Sequence, residues 1–220
     1  MLQTKLYTGS EFPELLDETS GKFIKLPEKF SLEGFEPSQN PMVPMVHKDY
    51  VFTKSLFRDV ALFLARPHGH ALWLAGPTGS GKTSVITELA GRLNYPVYSI
   101  TCNSRMEFDD LVGRPMVISK PGEQPSVKFI YGPLARAMKS GGILLLNEVD
   151  LCDPAQLSGL NDVLEGRPLT ITQNGGEQIQ PHPMFRVVVT ANSAGNGDET
   201  GSYTGVLSQN VAAMDRYRLM

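Results

Sequence analysis

The chain has 220 residues, of which 41% are hydrophobic and 20% charged, a composition typical of one globular domain with enough apolar side chains for a core. The formal net charge of −3 argues against non-specific binding to nucleic acid, so no nucleic-acid partner is expected. The N-terminus lacks an apolar signal core and no apolar run is as long as a membrane span, so we expect a cytoplasmic protein without a membrane partner.

Residues 1–42 are predicted to form an N-terminal extension and linker ahead of a core domain at residues 43–220. The extension has weak periodicity, but it carries too many apolar side chains for a disordered segment. We therefore expect it to lie along a surface, either of this protein or of a neighbour. Apolar side chains at helical spacing predict the first helix at residues 49–65.

A glycine-rich stretch follows the short apolar run at residues 71–75. It matches the pattern G-x-x-x-x-G-K-[ST] at every fixed position, and apolar residues recur at helical spacing after it. Strand, glycine loop and helix in this order are the arrangement that binds phosphate groups. The residues predicted to hold a nucleoside triphosphate are Gly76, Pro77, Thr78, Gly79, Ser80, Gly81, Lys82 and Thr83.

The residue types of this loop explain the prediction. Glycines let the backbone curl so that its N–H groups point at the phosphates. The following helix adds a partial positive charge at its first turn. Lys82 can reach the β- and γ-phosphates, and the Thr83 hydroxyl can ligate Mg²⁺.

Strand and helix patterns alternate through the rest of the chain. Strands are predicted at residues 96–100, 143–146 and 185–190. The continuous apolar run at 143–146 is typical of a central parallel strand that is covered on both faces. Helices are predicted after Gly132 and after Asp153, which is a good capping residue before Pro154. Residues 114–131 and 167–182 predict two β-hairpins. This order indicates an α/β domain with a parallel sheet.

Polar residues end two of the buried strands. In open α/β sheets, catalytic groups gather at the carboxyl ends of strands. Glu148 is therefore the candidate for orienting or activating an attacking water. Asn192, at the end of the next apolar strand, is a candidate for a hydrogen bond to the γ-phosphate or to that water.

These motifs, taken in order, resemble an AAA+ ATPase of the MoxR type, in the branch of the cobaltochelatase small subunit and the nitric-oxide-reductase and Rubisco activators. The likeness covers about residue 43 to the C-terminus. It rests on the phosphate loop, the Leu-Leu-Leu-Asn-Glu run and residues 181–192, 200–203 and 214–217. It implies a P-loop NTPase fold: a three-layer α/β/α core with a parallel sheet, and two β-hairpin insertions near the central pore of a ring.

The resemblance also implies roles for particular residues, with ATP and Mg²⁺ as cofactors. Walker A would be Gly76–Thr83, Walker B Ile143–Glu148 and sensor 1 Asn192. Arg216 would be an arginine finger that acts on the nucleotide of a neighbouring subunit, within a homo-oligomeric ring that is a hexamer in the family. Without the resemblance, Arg216 would be interpreted as a surface salt-bridge residue, and Arg218 competes for the role.

The family further implies a partner protein, a von Willebrand factor A-domain protein or a metalloenzyme. It also implies a further strand and then a C-terminal helical lid, both of which we expect to follow Met220. We therefore expect the chain to be truncated before the lid.

One residue departs from the family pattern. Where the family carries an Asp that holds Mg²⁺, this chain has Asn147, which keeps an acceptor oxygen but loses the negative charge. The expected loss is about 10–100-fold in metal affinity or activity, or about 1.4–2.7 kcal/mol. Thr83 and Asn147 are the expected metal ligands. Asp150 is predicted to be a poor substitute, because on an extended strand it would share a face with Glu148.

The leading functional interpretation is a ring-forming, ATP-driven remodelling or activating chaperone of the metalloenzyme-maturation type. The alternative is a nucleotide-gated binding module whose hydrolysis is attenuated by Asn147. A DNA-dependent motor is a third interpretation. The negative net charge and the lack of a Lys/Arg cluster in either hairpin argue against a DNA-dependent motor.

Overall fold

The computed structural model of the protein describes residues 2–122, 124–193 and 215–220. Its N-terminal part contains five short strands and the first helix: β1 (Thr4–Thr8), β2 (Leu15–Asp17), β3 (Lys22–Ile24), β4 (Ser31–Phe35), β5 (Phe52–Thr53) and α1 (Lys54–Ala65). β1 pairs antiparallel with β4, and β2 lies between β3 and β5 in a second small sheet.

The remaining elements alternate between strands and helices. The central part contains β6 (Ala71–Ala75), α2 (Lys82–Arg92), β7 (Val97–Thr101), α3 (Phe108–Val112), β8 (Gly113–Ile118), β9 (Ser126–Tyr131), α4 (Pro133–Ser140) and β10 (Ile143–Asn147). The last part contains α5 (Pro154–Leu157), α6 (Leu160–Leu164), β11 (Leu169–Ile171), β12 (Glu177–Ile179), β13 (Arg186–Ala191) and β14 (Tyr217–Leu219). Within the described ranges, no helix has both the length and the apolar character needed to cross a membrane.

In the described part of the chain, five strands form the central sheet in the order β14-β6-β13-β10-β7, and every neighbouring pair is parallel. All the strands therefore end at one edge of the sheet, where ligand sites of such folds lie. The pairs β8–β9 and β11–β12 are antiparallel and coincide with the two predicted hairpins.

The sheet separates two hydrophobic layers, because alternate side chains of a strand point to opposite faces. On β6, Ala71 and Trp73 belong to one buried cluster, and Leu72 and Leu74 belong to the other. The first cluster includes residues of α3, α4 and α6, and the second includes residues of α1, α2 and the N-terminal strands. This three-layer α/β/α core confirms the predicted fold class.

The N-terminal segment packs on the protein's own core. Phe12 and Phe30 contact each other and Phe57 of α1, with ring centroids 5.6–5.9 Å apart. Leu32 and Phe35 of β4 are also buried in the same cluster as α1 and α2. The segment thus covers one face of α1, a tertiary arrangement that its weak periodicity did not reveal.

Two predicted helices differ from the observed ones. The first begins at Lys54 and not near residue 49, because Phe52 and Thr53 pair with β2. The predicted helix after Asp153 is divided into α5 and α6. Gly159 lies between them, and a Cβ atom there would come within 2.8 Å of the Phe108 ring. Close packing against α3 therefore requires glycine at the break.

Candidate nucleotide-binding site

The glycine loop connects β6 to α2 at the carboxyl edge of the sheet. Gly79 and Gly81 have φ values of 81° and 84°, a left-handed conformation that glycine adopts without strain. The first backbone bond of α2 runs from the N–H of Val85 to the carbonyl of Gly81, at 3.0 Å. The N–H groups of residues 82–84 therefore have no acceptor within the helix, and such groups bind anions.

Lys82 lies across the loop. Its Nζ donates to the carbonyl oxygens of Gly76 and Pro77, at 2.6 and 2.9 Å. Burial lowers the pKa of Lys82 below its usual value, and the charges of Asp150 and Glu148 offset only part of that effect. Phosphate oxygens would be stronger acceptors than the two carbonyls, because they carry negative charge.

A cleft of about 340 Å³ opens between the loop and the ends of three strands. This volume is in the range of small-molecule sites. Its lining residues are Thr78, Gly81, Lys82, Thr83, Ser84, Thr101, Asn147, Glu148, Thr190, Ala191 and Asn192. The structure thus brings together the loop, Asn147, Glu148 and Asn192, as the strand-end argument predicts.

Asn147 and Thr83 make the oxygen pair that fits Mg²⁺. The Thr83 hydroxyl donates to Asn147 Oδ1 at 2.9 Å, and Asn147 Nδ2 donates to the Ser99 hydroxyl at 2.8 Å. The Thr190 hydroxyl also donates to Asn147 Oδ1, at 3.4 Å. Mg²⁺ is bound by oxygen ligands, and these two oxygens face the same cleft. The donor set suits the ion but is neutral.

Glu148 adopts an unusual backbone conformation. Its φ of 55° places a non-glycine residue in the left-handed region, at a cost of about 1–3 kcal/mol. The N–H of Glu148 donates to the Thr190 hydroxyl at 3.3 Å, and its carbonyl accepts from the N–H of Leu151 at 3.0 Å. Strain of this kind is common at active sites. The Glu148 side chain is exposed and lines the cleft.

Asn192 lies on the other side of the cleft, directly after β13. The Thr78 hydroxyl is 3.5 Å from Asn192 Oδ1, so Asn192 faces the phosphate loop. The backbone N–H of Asn192 donates to Asp150 Oδ2 at 2.9 Å.

The prediction for Asp150 assumed the wrong backbone. The chain does not continue as an extended strand after β10, because Glu148 turns it into a 3₁₀ helix at Val149–Leu151. Asp150 is fully buried beside the end of β13 and does not line the cleft. Sequence reasoning also missed Ser99 and Thr190. Their position near the ends of neighbouring strands was the one signal that could have found them.

Arg216 lies at the opposite edge of the sheet. Its carbonyl accepts from the N–H of Ala71, the first residue of β6, whereas the loop follows Ala75, the last. Those two residues are about 13 Å apart along an extended strand. The Arg216 guanidinium pairs with Glu165. Residues 200–203 and Met214, which also carried the family resemblance, lie outside the described ranges. Arg216 is therefore not part of the cleft in its own chain.

Comparisons with known proteins show the family of this chain. Residues 71–204 match the model of the AAA domain, dynein-related subfamily, so the chain belongs to the AAA+ family. It is 32% identical over 178 residues to the aerobic cobaltochelatase subunit CobS of a Sinorhizobium species, covering 81% of this chain and 53% of CobS. It is 30% identical over 164 residues to the uncharacterised protein YojN of Bacillus subtilis, covering 74% and 50% of the two chains.

The fold is similar to the crystal structure of a Cytophaga hutchinsonii protein assigned as an ATPase. The TM-score is 0.55 and the sequence identity 20%, over 76% of this chain and 45% of that one. The chain spans about half the length of these relatives. Together with the family match, the CobS relationship confirms the resemblance that the motifs predicted.

Proposed function

We propose that this domain binds ATP with Mg²⁺ and hydrolyses it. One observation carries the proposal: the glycine loop, Asn147, Glu148 and Asn192 line a single cleft, although they lie far apart in the sequence. A glycine turn without a ligand would not require polar groups from two other strands at the same place. The combination is the one that phosphoryl transfer needs, since its catalysis consists mainly of positioning and charge stabilisation.

Each residue has a distinct role in this proposal. The loop N–H groups and Lys82 hold the β- and γ-phosphates, and Thr83 and Asn147 hold Mg²⁺. The bound ion supplies positive charge that neutralises the phosphate oxygens. Glu148 orients a water for attack on the γ-phosphorus and accepts its proton. Asn192 donates a hydrogen bond from its amide to the γ-phosphate or to the water.

We further propose that the site is completed by a neighbouring subunit. Arg216 is far from the cleft of its own chain, and an arginine finger stabilises transition-state charge by a rate factor of about 10³–10⁵ in P-loop enzymes. A head-to-tail contact would bring Arg216 to the next chain's nucleotide, and such contacts close into rings when the rotation permits. A hexameric ring is the assembly we propose.

The work done by such a ring would be the remodelling of a partner protein. CobS is named as a subunit of a cobaltochelatase, which supports a role in the maturation of a metalloenzyme. We propose a von Willebrand factor A-domain protein or the metalloenzyme itself as the partner. The exposed apolar side chains of the first hairpin, Met116, Val117 and Val127, provide a surface for protein contact.

A second function is favoured by Asn147. Without a carboxylate beside the metal, hydrolysis could be slow enough for ATP to act as a gate that stabilises a complex. Phosphate release measured with and without the partner separates the two functions. A remodeller turns over repeatedly, whereas a nucleotide-gated module stays bound to ATP.

The proposal is tested by Glu148→Gln, with Glu28→Gln as the matched control on an exposed residue between β3 and β4. Glu148→Gln should bind a fluorescent ATP analogue as tightly as the wild-type protein. It should release phosphate about 10²–10⁴-fold more slowly, the usual contribution of a general base. The control should match the wild-type protein in both measurements. Unchanged phosphate release by Glu148→Gln would remove Glu148 from the mechanism.

A further inference from the structure

A buried acidic side chain connects the two strand ends of the site. The left-handed turn at Glu148 directs the chain into the short 3₁₀ helix, which brings Asp150 beside the end of β13. The exposure of Asp150 is 0%. Its Oδ2 accepts a hydrogen bond from the backbone N–H of Asn192, at 2.9 Å. A side chain from the segment after β10 therefore holds the backbone of the residue that follows β13.

The second oxygen of the Asp150 carboxyl group lowers the stability of the folded protein. Oδ1 is buried and has no hydrogen-bond partner in the part of the chain that the structure describes. A buried polar atom without a partner destabilises a protein. An apolar side chain would avoid that cost, since Val149 and Cys152 on either side of the turn are buried in the core. A buried polar group of this kind requires a reason other than stability.

The position of the Asn192 side chain is set mainly by the hydrogen bonds that hold its backbone. Among the described residues, its side chain makes one long hydrogen bond, 3.5 Å from Oδ1 to the Thr78 hydroxyl. The next residue is also held through its backbone, because Trp73 Nε1 donates to the carbonyl oxygen of Ser193 at 3.1 Å. The bond to Asp150 and the bond from Trp73 thus fix this stretch on two sides. That anchoring sets the direction of the Asn192 Cα–Cβ bond, and with it the region that the amide can reach.

We infer that Asp150 is a positioning residue that acts through Asn192, holding its side chain at the place where the γ-phosphate and the attacking water are bound. This inference rests on the proposed ATPase function and goes beyond it, since Asp150 itself does not line the cleft. It explains why the protein keeps a half-satisfied carboxyl group in its core. It also gives the left-handed turn at Glu148 a role, because that turn leads into the 3₁₀ helix that brings Asp150 to the end of β13.

The inference is tested with Asp150→Ala and Asp150→Asn, measured for phosphate release, affinity for an ATP analogue, and hydrogen exchange of the Asn192 N–H. Asp150→Ala should lower kcat about 10- to 100-fold, the range expected when a catalytic group is slightly misplaced. Nucleotide affinity should stay unchanged, and the Asn192 N–H should exchange faster. Asp150→Asn should keep most of the activity and the slow exchange, because its amide oxygen can accept the same bond.

The double variant of Asp150→Ala and Asn192→Ala distinguishes positioning from a general loss of stability. If Asp150 acts through Asn192, the double variant should be no slower than Asn192→Ala alone. Rate losses that multiply in the double variant would overturn the inference, as would unchanged kcat and exchange in a folded Asp150→Ala protein. If Asp150→Ala does not fold, a strong loss of kcat in folded Asp150→Asn overturns it instead. A wild-type protein without turnover would refute the proposed ATPase and this role together.

Discussion

Restoring the carboxylate at position 147 is the sharpest perturbation that the site offers. In Asn147→Asp, Oδ1 can still accept from the Thr83 and Thr190 hydroxyls. The new Oδ2 replaces a nitrogen that donates to the Ser99 hydroxyl at 2.8 Å. That hydroxyl can rotate and donate instead, since a serine O–H both donates and accepts. The substitution therefore adds a charge without changing the shape of the site.

The size of the effect follows from Coulomb's law. The cleft is open and Asn147 is partly exposed, so the dielectric constant is close to that of water. A unit negative charge about 4 Å from a divalent ion then gains about 2 kcal/mol. This corresponds to roughly 30-fold in metal affinity, within the range of about 10–100-fold expected for groups around a metal.

The assay is a Mg²⁺ titration of phosphate release at fixed ATP. Asn147→Asp should reach half of its maximal rate at a Mg²⁺ concentration about 30-fold lower than the wild-type protein. Asn40→Asp is the matched control. It adds the same charge and keeps the Oδ1 acceptor of the Met42 N–H, but it lies in the linker near the start of β7, at the other edge of the sheet.

Two results would refute the reasoning. If Asn147→Asp and the wild-type protein have the same Mg²⁺ dependence, Asn147 is not beside the metal. If Asn40→Asp shifts the titration as much as Asn147→Asp, the effect is one of net charge and not of position.

Two more predictions concern stability and assembly. Glu88 is buried and accepts from Arg92; burial alone would raise the pKa of Glu88, but the hydrogen bonds lower it overall. Glu88→Gln should therefore lower the free energy of unfolding by about 3 kcal/mol at pH 7. The difference in stability between the wild-type protein and the variant should shrink as the pH falls below about 4.5, because the Glu88 carboxylate then becomes protonated. Denaturant titrations measure this difference. For comparison, the exposed ion pair of Glu107 with Arg114 should contribute less than about 1 kcal/mol to the free energy of unfolding. If Arg216 acts in trans, Arg216→Ala and Glu148→Gln should each be inactive alone, and an equal mixture should recover roughly a quarter of wild-type phosphate release. A mixture without recovery would contradict the action of Arg216 on a neighbouring chain's nucleotide.

The parts of the site that the sequence predicted are those defined by local patterns. The glycine loop needs residues without a side chain at Gly79 and Gly81, and the positive φ values there are the physical reason for the motif. Asn147 and Asn192 follow buried strands, and buried parallel strands must end at one edge of the sheet. These features depend on the sequence around each residue, so they can be read without coordinates.

The parts that were missed depend on how distant segments meet. The position of Asp150 was predicted wrongly because Glu148 was assumed to be extended, and no sequence pattern indicates a left-handed glutamate. The pairing of Arg216 with Glu165 joins residues 51 positions apart. The N-terminal strands are defined by contacts such as Phe12 with Phe57, so tertiary packing overrides their weak local pattern.

The central claim is that a triphosphate is bound by the loop and Lys82. Calorimetric titration with a non-hydrolysable ATP analogue and Mg²⁺ tests it most directly, with Lys82→Ala compared with Lys139→Ala, an exposed lysine of α4 that pairs with Glu177. The wild-type protein and Lys139→Ala should bind one nucleotide per chain with equal affinity. Lys82→Ala should bind about 10- to 150-fold more weakly, the value of one hydrogen bond to a charged group. Equal affinity of the wild-type protein and Lys82→Ala, or a wild-type protein that binds no nucleotide, would contradict the account.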